Sequence, residues 1–117
     1  MDTGSSPARG LSVIVNKSPL VADDLEEVLN GCGITDVRVF QTLDDATKLW
    51  PSLAIVEGDS TAILDHPTVV TWMATGVPIV ILNGQPAEHD DARRVYRLEQ
   101  PFRERDLMAV FRRLSLL

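Results

Sequence analysis

Apolar residues dominate three short stretches of the chain, at 11–15, 53–56 and 78–82, and each stops at polar or turn-forming residues. A short apolar run bounded by turn signals suits a strand buried on both faces, as in a parallel sheet. Two weaker β-branched runs, at 37–40 and 95–98, read as further strands. Between them the spacing changes to that of helices. Ser18-Pro19 supplies an N-cap followed by proline at the first helical position. Val21, Leu25, Val28, Leu29 and Cys32 then follow on one stripe, with Asp23, Asp24, Glu26 and Glu27 mostly opposite. Gly31 and Gly33 provide the stop.

Thr42 caps a second predicted helix that runs to Trp50, with Ala46, Leu49 and Trp50 as its stripe and Asp44 and Asp45 as its starting acids. Pro51 ends it. Pro67 opens a third, carrying Val69, Val70, Trp72 and Met73 and ending at Gly76. Asn83-Gly84 is a turn signal, and 85–94 reads as a loop with at most a short helix. The last helix starts near Arg103, with Leu107, Val110, Phe111 and Leu114 on its inner stripe.

Strands alternating with helices predict an α/β fold: a (βα)5 doubly wound, parallel five-stranded sheet of flavodoxin-like type, with the fourth helix short or missing. In such a sheet ligands bind outside the carboxyl ends of the strands. Those ends gather Asn16-Lys17, Glu57-Gly58-Asp59, Asn83-Gly84 and Glu99-Gln100-Pro101. Glu57 closes the apolar run of the third strand and is the candidate around which the rest is read.

Composition narrows the possibilities. The 117 residues suffice for one domain, expected at 11–117 behind a disordered leader at 1–10 that lacks a secretory h-region. No apolar run reaches the ~18 residues of a membrane span, so no membrane partner is expected. Net charge of −6 disfavours nucleic acid. A single cysteine, Cys32, excludes an internal disulfide and suits the cytoplasm. The charge is uneven: eleven acids face four bases in 1–83, and six acids face seven bases, all arginine, in 84–117. Arg93, Arg94, Arg97, Arg105 and Arg112 are therefore the candidate partner-binding surface, and the acidic first helix is the second. His66 and His89 lack ligand spacing and read as surface or capping residues. Cys32, Trp50 and Trp72 read as packing residues, Trp72 also as an interface marker.

The strand-end residues carry a family resemblance. Val-Ile-Val-Asn-Lys-Ser-Pro-Leu, Leu-Ala-Ile-Val-Glu, Gly-Val-Pro-Ile-Val-Ile-Leu-Asn-Gly and Gln-Pro-Phe-Arg match the pattern of a receiver domain of bacterial two-component response regulators over about 11–115. With 16 residues between Asn83 and Gln100, the chain is similar to an alphaproteobacterial subgroup with a reduced fourth helix. The family places an acid pair after the first strand, a phosphate-accepting Asp after the third, Thr or Ser after the fourth and Lys-Pro before the last helix. Here those positions hold Asn16-Lys17, Glu57, Asn83 and Gln100. The aromatic of the fifth strand, three residues before the lysine, is replaced by Arg97, and Tyr96 is one position out of phase.

The resemblance thus implies a pseudo-receiver that is not an enzyme. Phosphoryl transfer to a carboxylate requires neutralised charge, which Mg²⁺ held by the acid pair supplies in the family. A neutral Asn16 and a cationic Lys17 remove that support, so no cofactor and no Mg²⁺ are expected. Lys17 is expected to act as the counter-ion of Glu57, with Asn83 and Gln100 completing the hydrogen bonds. No output domain is expected after the last helix. Action then falls to binding a signalling protein in the phosphorelay, such as a histidine kinase or another regulator, with a homodimer also open. The alternatives are an atypical regulator phosphorylated on Glu57 or Asp59, and a small-ligand binder at the strand ends.

Overall fold

The three apolar runs become the centre of the sheet. The computed structural model describes residues 11–83 and 88–114; the leader expected at 1–10 and the turn at Gly84 lie outside the described residues. β1 (Ser12–Val15), β3 (Leu53–Glu57) and β4 (Ile79–Asn83) lie between β2 (Val37–Phe40) on one side and β6 (Val95–Glu99) with β5 (Glu88–Asp90) on the other. The order is β2-β1-β3-β4-β6-β5. Every neighbouring pair is parallel except β5 with β6.

Strand side chains alternate between two cores, as burial on both faces requires. Ile14, Ile55, Val80, Leu82, Tyr96 and Leu98 enter one, and Val13, Val15, Val56, Ile79, Ile81 and Val95 enter the other. The first core is closed by α1 (Pro19–Gly31), through Ala22, Leu25 and Leu29, and by α4 (Glu104–Arg113), through Leu107, Val110 and Phe111. Ser18 Oγ accepts the Val21 N–H at 3.4 Å and begins α1. Gly33 sits at φ 86°, which lets the Ile34 N–H fold back to the Leu29 carbonyl at 2.9 Å and end it. The second core is closed by shorter pieces: a 3₁₀ turn (Asp44–Ala46), α2 (Ser60–Asp65) and α3 (Pro67–Ala74).

Three expectations change. Among the described residues the sheet has six strands, because residues 88–90 of the expected loop pair antiparallel with β6. Their polar sequence hid them: an edge strand bonds on one side only, and charged residues suit it. Among the described residues no helix lies between β4 and β6, and four helices are present in all.

The predicted helix at 42–50 is instead the 3₁₀ turn. Leu43, Ala46 and Leu49 recur every three residues, and Ala46 and Leu49 donate N–H groups to the carbonyls of Leu43 and Ala46 at 3.0 and 3.1 Å. Side chains three apart eclipse on a 3₁₀ turn, so those three turn inward. Trp50 falls off the stripe and is 65% exposed, against 1% for Trp72.

Helix α2 was not anticipated. Asp59 Oδ2 accepts the Ala62 N–H at 2.9 Å and caps it.

Candidate functional site

The carboxyl ends of β1 and β3 open on a cavity of about 330 Å³ lined by Lys17, Asp44, Glu57, Asp59 and His66 over Val15, Leu43, Val56 and Ile63. Glu57 is half-buried at its rim and Lys17 is exposed. The two share the cavity, yet among the described residues no salt bridge joins them. The expected counter-ion pair is therefore not formed. A flexible, exposed ammonium gains little from ordering itself against a half-exposed carboxylate.

Asn16 has another task. Its Oδ1 accepts the Ser18 N–H at 2.8 Å, turning the chain out of β1 and into α1. The residue is 5% exposed and its Nδ2 is buried without a partner. Such an orphaned donor costs about 1–3 kcal/mol. The atom Asn16 leaves unused is thus an N–H donor, which cannot ligate a cation. Asp59 is likewise engaged as the α2 cap. Gly58, at φ 143°, turns the chain between Glu57 and Asp59, and both carboxylates line the cavity. Among the described residues no group of three or more metal-ligating side chains occurs.

On the β4–β6 side the polar groups are knitted together. Asn83 Nδ2 and Arg97 Nε both donate to Ser60 Oγ at 2.9 Å. Asn83 does complete a hydrogen bond, but to Ser60 and not to the Lys17–Glu57 pair. Ser60 was missed by sequence reading. It follows a capping Asp59 three residues after Glu57, a position that periodicity does not mark. Arg97 and Tyr96 face oppositely, as strand alternation requires. Tyr96 is buried among Leu98, Leu107 and Phe111, and Arg97 is half-buried on the other face. Gln100 belongs to neither half of the site. It lines a separate cavity between α1 and the segment before α4, and its bond to Pro101 is cis.

His66 joins two elements. Its Nδ1 accepts the Thr68 N–H at 3.1 Å and caps α3, so the ring proton lies on Nε2, 2.9 Å from Asp44 Oδ1.

The five candidate arginines do not form one surface. Arg97 is bonded to Ser60, and Arg94 Nη1 reaches the Gly76 carbonyl at 3.0 Å, at the opposite end of the sheet. Arg105 and Arg112 stand exposed near the two ends of α4, and Arg93 lies in the turn before β6. Alternation and the short β5–β6 turn disperse what the sequence placed together. Arg113, which was not singled out, makes the best-ordered pair. It grips Asp91 with Nη2 at 2.8 Å and Nε at 3.3 Å. That contact, with the Tyr96 hydroxyl second, holds the Asp91 carboxyl below its usual range. Burial, then Asp91, pushes Tyr96 up.

No protein-family model matches the sequence, and no curated protein matches it. Solved structures do. An atypical orphan response regulator, described as having a phosphorylation-independent regulatory mechanism, superposes with a TM-score of 0.67 at 17% identity, over 92% of this chain and 98% of that one. The signal receiver domain of an HD domain-containing protein from Pseudomonas fluorescens gives 0.62 at 17% identity, over 98% and 93%. A protein of Chloroflexus aurantiacus described as a response regulator gives 0.55 at 22% identity, over 90% and 97%. At such identities the likeness is one of fold: this chain has the fold of a response-regulator receiver domain.

Proposed function

We propose that the protein is a pseudo-receiver that takes no phosphate and signals by binding another protein, with Glu57 as a permanent negative charge where the family's acceptor Asp stands. The observation that carries this reading is the state of Asn16. Mg²⁺ needs oxygen ligands in near-octahedral array. Asn16 offers a single neutral oxygen that already accepts the Ser18 N–H, in place of a carboxylate, and the next residue is the cation Lys17. The donor set does not fit Mg²⁺, and without that charge a transferring phosphoryl group lacks its main stabilisation. Glutamate also sets its oxygens one methylene further out, and a misplacement of about 1 Å can cost in-line attack roughly 100-fold. The orphan regulator of the same fold described as phosphorylation-independent supports the possibility of such signalling on this scaffold.

The test is intact-mass spectrometry after incubation with acetyl phosphate and Mg²⁺. The expected outcome is an unchanged mass. A gain of one phosphoryl group that disappears in Glu57→Ala or Asp59→Ala overturns the reading in favour of an atypical regulator.

A further inference from the structure

The sheet ends in two unlike edges. On one side stands β5, where Glu88, His89 and Asp90 put two acids on the rim. Two copies meeting there would set acid against acid. On the other side stands β2, and among the described residues no strand pairs with its outer edge. The Ser12 and Asn16 N–H groups donate to the Asp36 and Phe40 carbonyls, each at 2.9 Å. Backbone direction alternates along a strand, so Asp36, Arg38 and Phe40 bond to β1, while Val37 and Val39 turn their N–H and C=O groups outward. No proline blunts this edge, and Val39 is 43% exposed. Asp36 and Arg38 stand on one face of the strand, 3.8 Å apart, with side chains 58% and 59% exposed.

We propose that β2 pairs antiparallel with β2 of a second copy, about a two-fold axis at Val37, and joins the two sheets into one. Charge selects the register. With the axis at Val37, that residue exchanges both backbone bonds with its counterpart. Asp36 then faces Arg38 of the second copy at the close, non-hydrogen-bonded positions on either side. Together with the Asp36–Arg38 contact inside each chain, the four side chains alternate in sign around a square. An axis at Arg38 would set Arg38 against Arg38. An axis at Val39 would set Arg38 against Phe40 and leave Asp36 facing no base. The outward backbone groups supply affinity, and the exposed ion pairs choose the register, since such pairs contribute little each. A four-residue edge falls short of a standard interface of ~1,200–2,000 Å², so the dimer is weak and concentration-dependent. Antiparallel pairing places the Glu57 ends of the two sheets on opposite sides, where both stay open. The dimer therefore stands whether or not Glu57 takes a phosphoryl group.

The test is sedimentation velocity of the full chain from micromolar to millimolar concentration. The expected result is a dimer whose share rises with concentration. Val39→Pro removes an outward N–H without touching the β1 ladder, and is expected to weaken the dimer about tenfold. Asp36→Arg and Arg38→Asp are each expected to weaken it roughly tenfold, because each sets like charges opposite at two symmetry-related places. The two variants move the net charge in opposite directions, so a loss in both isolates the local pairing from overall repulsion. Asp36→Arg with Arg38→Asp restores the alternation at unchanged net charge, and is expected to return the dimer to within about threefold of the parent. These charge variants alter exposed side chains only and keep the fold. A monomer at every concentration overturns the proposal. So does a dimer that the single reversals leave unchanged, or one that the double exchange fails to restore. Phosphate uptake is read independently by mass, so failure of the dimer and failure of the pseudo-receiver reading are separable.

Discussion

The two faces of the sheet are closed in different ways. On one, α1 and α4 of 13 and 10 residues lay continuous apolar stripes across the strands. On the other, three pieces of 3, 6 and 8 residues cover the same kind of surface. Short elements cannot hold themselves in place by burial alone, and here polar tethers join them. Thr47 Oγ1 meets Thr68 Oγ1, Trp72 Nε1 donates to the Leu49 carbonyl, and His66 Nε2 reaches Asp44, each at 2.9 Å. A long amphipathic helix is thus interchangeable with several short segments, provided side chains stitch the segments together.

The largest effects test that contrast. Phe111→Ala and Trp72→Ala each empty a buried aromatic site, one per face, and should cost ~3–5 kcal/mol in urea denaturation. Trp72→Phe separates packing from tethering. It keeps most of the ring and loses the N–H to Leu49, for a further cost of about 1 kcal/mol. A Trp72→Phe variant indistinguishable from the parent would break the comparison, because burial alone would then close both faces.

The same contrast explains what could be read in advance. Strands β1, β3 and β4 were legible because burial on both faces leaves unbroken apolar runs. Helix α1 was legible because Ser18, Pro19 and Gly33 mark its ends. The segment at 42–50 was misread because Ala46 and Leu49 fit a three-residue period and a helical one equally well, and Trp50, one position on, completed a helical stripe although it stands exposed. α2 and β5 were missed for want of an apolar pattern. At the site, the strand ends of Asn16, Glu57 and Asn83 followed from topology. The engagement of Asn16 with Ser18, and of Asn83 and Arg97 with Ser60, did not, since such bonds depend on side-chain direction and carry no period.

The next effect lies at the edge of the sheet. Asp91 ties the turn after β5 to the end of α4 through Arg113, and its carboxyl titrates below the ordinary 3.8. A depressed carboxylate contributes stability above its unfolded pKa and loses it as pH falls through the folded one. Thermal melts should therefore show the parent losing stability below about pH 4, and Asp91→Asn losing less there. Because the group is exposed, the difference should also shrink with added salt. An acid limb unchanged by the substitution would mean that the Arg113 contact contributes nothing to holding β5.

The smallest expected effect decides most about Glu57. If Lys17 were its locked counter-ion, Lys17→Ala would strand a half-buried carboxylate and lower stability near neutral pH. The structure leaves the two unpaired across a shared cavity, with Lys17 exposed. Lys17→Ala should therefore shift stability by no more than about 0.5 kcal/mol at neutral pH. Glu57→Gln, which removes the charge and keeps the shape, should be equally quiet in the same melts. Two silent variants mean that neither charge is held for the sake of the fold. The negative charge at the acceptor position is then free to act on whatever approaches the strand ends. A clear loss in Lys17→Ala that Glu57→Gln abolishes would instead reveal a pair formed in solution, and would restore the two residues to a structural role.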